Sequence, residues 1–266
     1  MAATHHRLTW RDALASKANV TRAVILRDVR TRFFDHGLGF LIVPLWPLAH
    51  LFAISAMNTL IGRPSPFGES PLVFFATGMV PTLTFMYVSR FMSMSLLMNR
   101  PMLAFPVVQI VDIVFARAYL EIIGTVASLV LIFVVFVTLG EDPWPRDPYQ
   151  AAYAFLAMVA LAVGMGTIVS VVAMIWPFMV TAYALSLIVV YIVSGGLFVP
   201  SFLPGAISDW LAWNPVTQGI EWMRSAYYEG YPTQLLDKAY MLSWAGGSIF
   251  VGLALERIAR GRALIG

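Results

Sequence analysis

Asp112, Arg117 and Glu121 lie in the first half of an apolar run over 107–139, whose second half, TVASLVLIFVVFVTL, carries no charge. A charge at the centre of a membrane helix costs about 2.5–3.5 kcal/mol on insertion scales, so such residues face a bundle interior or water. Arg117 and Glu121 are four residues apart and share one helix face. The chemistry expected of the three is compensation: they neutralise each other or neighbouring spans. In the competing reading, Arg117 grips an anionic lipid headgroup.

Other chemistries are closed off by what the sequence lacks. There is no cysteine, hence no disulfide and no thiolate catalysis. His5, His6, His36 and His50 show no metal-ligand spacing with nearby carboxylates. No G-x-x-x-x-G-K-[ST] loop is present, so this chain alone cannot hold ATP in the P-loop manner. A glycan or lipid transferase would need acids, bases or metal ligands converging at the membrane face, and the carboxylates here are scattered. The chain is expected not to be an enzyme by itself and to bind no cofactor or metal.

What must position the charged residues is a membrane bundle. Of 266 residues, 59% are hydrophobic and 12% charged, against about 25% charged in soluble globular chains. Six transmembrane helices are predicted, at roughly 38–60, 71–97, 107–139, 150–173, 178–199 and 234–255, against the roughly 20 residues a hydrocarbon core requires. Pro44 and Pro47 kink the first. Ala162, Gly166 and Ser170 recur every four residues on the fourth, a spacing that lets helices approach closely. Ser194, Gly195 and Gly196 weaken the end of the fifth. Ahead of the spans, 10–33 reads as one or two amphipathic interfacial helices. Val20, Ala23, Val24 and Phe33 would take the apolar side; Arg22, Arg27, Arg30 and Arg32 would face water or lipid phosphate. The plain alternative is a basic flank that only sets topology. No signal-peptide core is expected there.

The fold class is therefore an all-α integral membrane protein. A cytoplasmic N-terminal segment, 1–37, precedes a transmembrane domain, 38–266, that ends in a short basic tail, 256–266. Two interruptions stand out. MNRPMLAFP at 98–106, with prolines at Pro101 and Pro106, is neither span nor ordinary turn and suggests a short helix docked on something. Residues 200–233 are aromatic-rich and divide into two short helices near 205–212 and 215–229. The second is opened by Asn214-Pro215 and closed by Gly230. Neither can span, so they lie at the interface or re-enter where protein lines them, with Trp210, Trp213 and Trp222 as anchors. Glu221 and Arg224 share a face of the second, either holding the segment or solvated at the surface. Twelve of the seventeen Lys and Arg fall in the N-terminal segment, around 98–106 and in the tail, which places both termini in the cytoplasm.

These residues carry a family resemblance. MNRPMLAFPVVQIVDIVFARAYLE at 98–121 and SGGLFVPSFLPGAISDWLAWNP at 194–215 resemble stretches of the ABC-2 type permease subunits of Gram-negative capsular polysaccharide exporters, and the span spacing agrees from about residue 20 onward. The resemblance implies an inner-membrane subunit with six transmembrane helices, an N-terminal interfacial helix and two re-entrant helices between spans five and six. It implies export of lipid-linked capsular polysaccharide through a channel between two copies of the permease. ATP and Mg²⁺ would be bound by two copies of a separate ATP-binding subunit, with periplasmic or outer-membrane polysaccharide export proteins as further partners. No nucleic acid is involved.

By the same resemblance, 98–106 is the coupling helix, with Arg100, Met102, Leu103 and Phe105 against the ATPase. Residues 205–229 are the outer gate, with Trp210, Trp213, Glu221, Trp222 and Arg224. Spans one and five contribute to the channel. Tyr183 and Tyr191 are eight apart, a net turn of about 80°, and can share a broad face. Trp46 and Phe52 are six apart, a net of about 240°, and point different ways. These four are the candidate channel residues, their rings suited to stack on sugars; lipid-facing or packing roles are the plain alternative. The alternative function is an ABC-2 permease for another substrate, such as O-antigen, teichoic acid, a lipid or a drug. A purely structural membrane protein is a further one.

Overall fold

The computed structural model describes residues 10–32, 42–62 and 64–263. Expectations that fall on Phe33, Arg63, the start of the first span at 38–41 and the end of the basic tail lie outside the described residues. Within them the regular structure is helical: α1 (Trp10–Arg32), α2 (Ile42–Leu60), α3 (Pro71–Met98), α4 (Ile110–Thr138), α5 (Pro148–Ile175), α6 (Met179–Val193), α7 (Gly205–Ala212), α8 (Pro215–Tyr227) and α9 (Lys238–Ala263). Short 3-10 turns fall at Arg100–Ala104 and Pro200–Phe202. Helices α3, α4, α5 and α9 are long and apolar enough to cross a membrane, and α2 and α6 are shorter apolar helices. The protein is an all-α, multi-pass membrane protein.

The helix ends have local causes. α4 begins at Ile110 rather than 107 because Gln109 and Asp112 form a reciprocal capping box there. α6 stops at Val193, short of 199, where Gly195 turns into the left-handed region at φ 82°. α9 starts at Lys238 rather than 234, with the Asp237 carboxylate accepting from the Tyr240 amide at 2.9 Å. It also runs past 255, where Glu256 and Arg260 pair at 2.8 Å one turn apart.

The packing centres on α3 and α5, the most extensively paired helices, with α9 against the other side of α5. The small residues of α5 are the reason. A Cβ on Gly166 would collide with Met92 of α3, and one on Gly164 would lie 2.7 Å from the Ile249 amide of α9. Ser170, one turn beyond Gly166, bonds Ser95 of α3 hydroxyl to hydroxyl at 3.0 Å. α4 is buried on most sides over 110–121, but beyond that it buries only Gly124, Ser128, Ile132 and Phe136 and leaves Val126, Val130, Val134 and Val137 outward. In that second half the pattern is that of a peripheral span with lipid on one side.

Candidate functional site

At one end of the bundle α1 lies against α4 and supplies the partners that the α4 charges require. The Arg117 guanidinium, 2% exposed, has the Glu121 carboxylate 2.8 Å from Nε and the Asp28 carboxylate of α1 3.3 Å from Nη1. The Phe91 ring sits 5.6 Å from it. Lys17, also on α1, donates to both Asp112 oxygens at 2.8 and 3.0 Å. Asp112 additionally accepts from the Gln109 amide at 2.8 Å, so one carboxylate both caps α4 and holds α1. Arg27 turns inward and donates to Asn99 at 2.7 Å, where water or lipid phosphate was expected. Arg260 of α9 reaches Gln109 at 3.1 Å, tying the last helix to the same spot.

Compensation is thus shared between neighbours on α4 and the preceding amphipathic helix. Asp28 was the residue missed. Its signal is a lone acid among arginines, one turn after Val24 on the face that α1 buries.

Beside this network, Arg100–Ala104 forms the 3-10 turn between α3 and α4. Arg100 is exposed and Phe105 is 62% exposed. Met102 and Leu103 are half-buried against the main core and hold the turn to the bundle. The four residues expected to act together therefore divide into two that point outward and two that anchor.

In the middle of the bundle α2, α3 and α6 meet at a polar bridge. His50 Nδ1 lies 3.0 Å from the Tyr87 hydroxyl and Nε2 3.1 Å from the Tyr191 hydroxyl. A neutral imidazole has one N–H, so one hydroxyl accepts from the ring and the other donates to it. Tyr183, Leu187 and Tyr191 lie on the face of α6 turned toward the bundle. Leu185, Ile188, Val189 and Ile192 form the outward face. Trp46 is 61% exposed, and Phe52 meets Phe136 edge-on at 6.4 Å. His50 is a second residue missed; a lone polar side chain in an uncharged span needs partners, and that was its signal.

At the opposite end α8 is sunk into the bundle, with Val216 through Arg224 all buried. Asn214 caps it by accepting from the Val216 amide at 3.0 Å, with Pro215 as first residue. Trp210 and Trp213 of α7 are 81% and 73% exposed, whereas Trp222 is buried and donates to Gln150 at 2.8 Å, so it is a core residue and no interfacial anchor. Gln218 donates to the carbonyls of Ala212 and Leu235 at 2.7 and 2.9 Å and accepts from the Asp237 amide at 2.7 Å.

Arg224 is fully buried. It donates to the carbonyls of Gly195, Phe198 and Gly196 at 2.8, 2.7 and 2.9 Å and stacks 4.5 Å from the Phe74 ring. The glycine break after α6 leaves carbonyls that no helix satisfies, and the guanidinium fork meets them. Glu221 accepts from the Tyr231 hydroxyl at 2.6 Å. Burial pushes the Glu221 carboxyl pKa up, opposed by that hydrogen bond and by Arg224. Neither residue is solvated.

No family model matches the chain. Individual relatives do. The chain is 28% identical over 236 residues to the polysialic acid transport protein KpsM of Escherichia coli, covering 88% of this chain and 91% of that one. It is 26% identical over 229 residues to the capsule polysaccharide export inner-membrane protein CtrC of Neisseria meningitidis serogroup B, 86% of each. It is 26% identical over 220 residues to the protein of the same description, BexB, of Haemophilus influenzae, 83% of each. Each of these relatives is a capsule or polysialic acid export protein by its name, and the likeness covers most of both chains. The chain is a multi-pass membrane protein, and the similarity covers more than four-fifths of it rather than one local motif. Among the described residues no group of three His, Asp or Glu stands where it could hold a metal ion.

Proposed function

We propose that the chain is the transmembrane permease subunit of an ATP-driven exporter that moves lipid-linked capsular polysaccharide across the inner membrane. The supporting observation is similarity over more than four-fifths of the chain to relatives named for polysialic acid transport and capsule export. ATP and Mg²⁺ belong to a separate ATP-binding subunit, two copies of which work with two copies of the permease. The glycan passes between those copies and on to periplasmic or outer-membrane export proteins.

In this reading α2, α3, α4, α5, α6 and α9 are the six crossings, α7 and α8 re-enter from the outer side, and both termini are cytoplasmic. The outward Phe105 and Arg100 meet the ATPase, while Met102 and Leu103 pass its displacement into the bundle. Asn99, directly before the turn, is bonded to Arg27, so α1 moves with it. α1 precedes α2, and the His50 bridge joins α2 to α6. The turn is thereby connected to both helices assigned to the channel. At the outer end Arg224 holds α8 as a fixed seat, and α7 with Trp210 and Trp213 is the part of the gate free to move.

Deleting the gene in its own bacterium tests the reading. The expected outcome is full-length lipid-linked capsular glycan retained inside the cell, with surface capsule restored by the intact gene. Normal surface capsule with loss of another exported glycan or lipid instead would replace the substrate.

A further inference from the structure

A cleft of about 260 Å³ runs between α2, α3 and α4. It exists because small or helix-breaking residues stand where the helices would otherwise interlock. α4 turns Gly124, Thr125 and Ser128 toward it, and α2 contributes Pro47. On α4 it extends from Glu121 to Ile132, about 16 Å of helix.

Its walls are almost wholly apolar. The Ser128 hydroxyl donates to the Gly124 carbonyl at 2.9 Å and asks nothing of a guest. One end differs, for Glu121 lines it, paired with Arg117, and α1 with exposed Arg22 and Arg30 packs against the same half of α4. A space with walls this apolar does not retain water. Left empty, it would forfeit dispersion contacts along both walls. Within a bilayer the substance at hand to fill it is hydrocarbon chain.

We propose that this cleft binds one acyl chain of a membrane phospholipid, threaded between α2 and the α3–α4 pair. The chain's end lies toward Ile132 and its headgroup beyond Glu121, at the basic surface of α1. In the orientation proposed above that is the cytoplasmic leaflet. The occupant is bulk phospholipid and not the anchor of an exported glycan. α2 then rests on lipid where it faces the cleft, while the His50–Tyr87 bridge and the Phe52–Phe136 contact hold it to α3 and α4.

The test uses the full chain in nanodiscs of phosphatidylethanolamine and phosphatidylglycerol, with no glycan lipid present. A fraction of the phosphatidylethanolamine carries a diazirine on one acyl chain; after irradiation, adducts are mapped by mass spectrometry. Adducts at Thr125, Ile132 and Val80 are expected to saturate as the labelled fraction rises, near one per chain. Adducts at the outward Val130 and Val134 rise in proportion to label. Ser128→Phe, which fills the cleft, lowers the cleft adducts at least five-fold and leaves those at Val134 unchanged, while Ser128→Ala changes neither. Cleft adducts that are absent, or that rise in proportion to label like the outward ones, overturn the proposal in the unsubstituted chain. Adducts that persist in folded Ser128→Phe overturn it too. A cleft taken only by a glycan's anchor leaves it unlabelled here and has the same consequence. No transport is measured, so the result is independent of the exported substrate.

Discussion

The Arg117 guanidinium lies 3.3 Å from the carboxylate of Asp28, a residue 89 positions earlier in the chain, and both are buried. A cation in a span and an acid in the preceding amphipathic helix thus neutralise each other, with Glu121 as the second acid. Removing Arg117 leaves two buried carboxylates uncompensated, which costs about 3–5 kcal/mol, whereas removing Asp28 leaves the closer Arg117–Glu121 pair and costs less. Arg117→Ala and Asp28→Ala are each expected to lower folded yield and thermal stability in detergent, and the double variant to lose less than the sum. Replacing Arg117, Asp28 and Glu121 together by leucine is expected to recover most of the stability, since a packed apolar trio carries no desolvation cost. If Arg117→Ala and Glu121→Ala both fold and export normally, the compensating role is gone.

The 3-10 turn predicts a split between assembly and stability. Phe105→Ala removes an exposed ring and is expected to leave the permease folded and inserted while cutting export at least ten-fold. Met102→Ala with Leu103→Ala removes half-buried anchors and is expected to lower thermal stability by about 1–3 kcal/mol. Export assays paired with co-purification of the ATP-binding subunit distinguish the two. Wild-type export by the Phe105 variant would remove it from the coupling surface.

Arg224 and Gly78 make a linked prediction at the far end. Arg224→Lys keeps the charge but cannot fork to three carbonyls, and a loss of about 3 kcal/mol is expected. Gly78→Ala places a Cβ against the Gly196 carbonyl and 2.6 Å from Nη2 of Arg224, an overpacking that costs about 1–3 kcal/mol. Both should raise proteolysis within 195–204 before the rest of the chain opens. Unchanged proteolysis in both would mean that the carbonyl clamp does not hold this loop.

Tyr183 and Tyr191 face the bundle in the single chain, so their accessibility should depend on state. Because the chain has no native cysteine, single cysteines report cleanly. Those at 183 and 191 are expected to react with small aqueous thiol reagents only during translocation. Persistent inertness at both in active protein removes them from the channel wall.

What the sequence determined by itself is whatever acts within one helix or one turn. The spans of α3 and α5 follow from runs of apolar residues and match the expected bounds within two residues. Arg117 and Glu121 meet because residues four apart share a face, and Asn214-Pro215 opens α8 because a cap and its first turn are neighbours in the chain. The close-packed stripe of α5 was equally legible, though not that α3 would fill it. Only the tertiary structure decided which distant group satisfies each buried polar one. Asp28 for Arg117, Asn99 for Arg27, Tyr87 and Tyr191 for His50, and the carbonyls after α6 for Arg224 are pairings across tens of residues. It likewise sent Trp222 inward and left Trp210 out. Hydrophobic periodicity records that a side chain lies in an apolar setting and says nothing of which neighbour stands there. In a membrane, where water cannot supply the missing hydrogen bond, that neighbour must come from another helix.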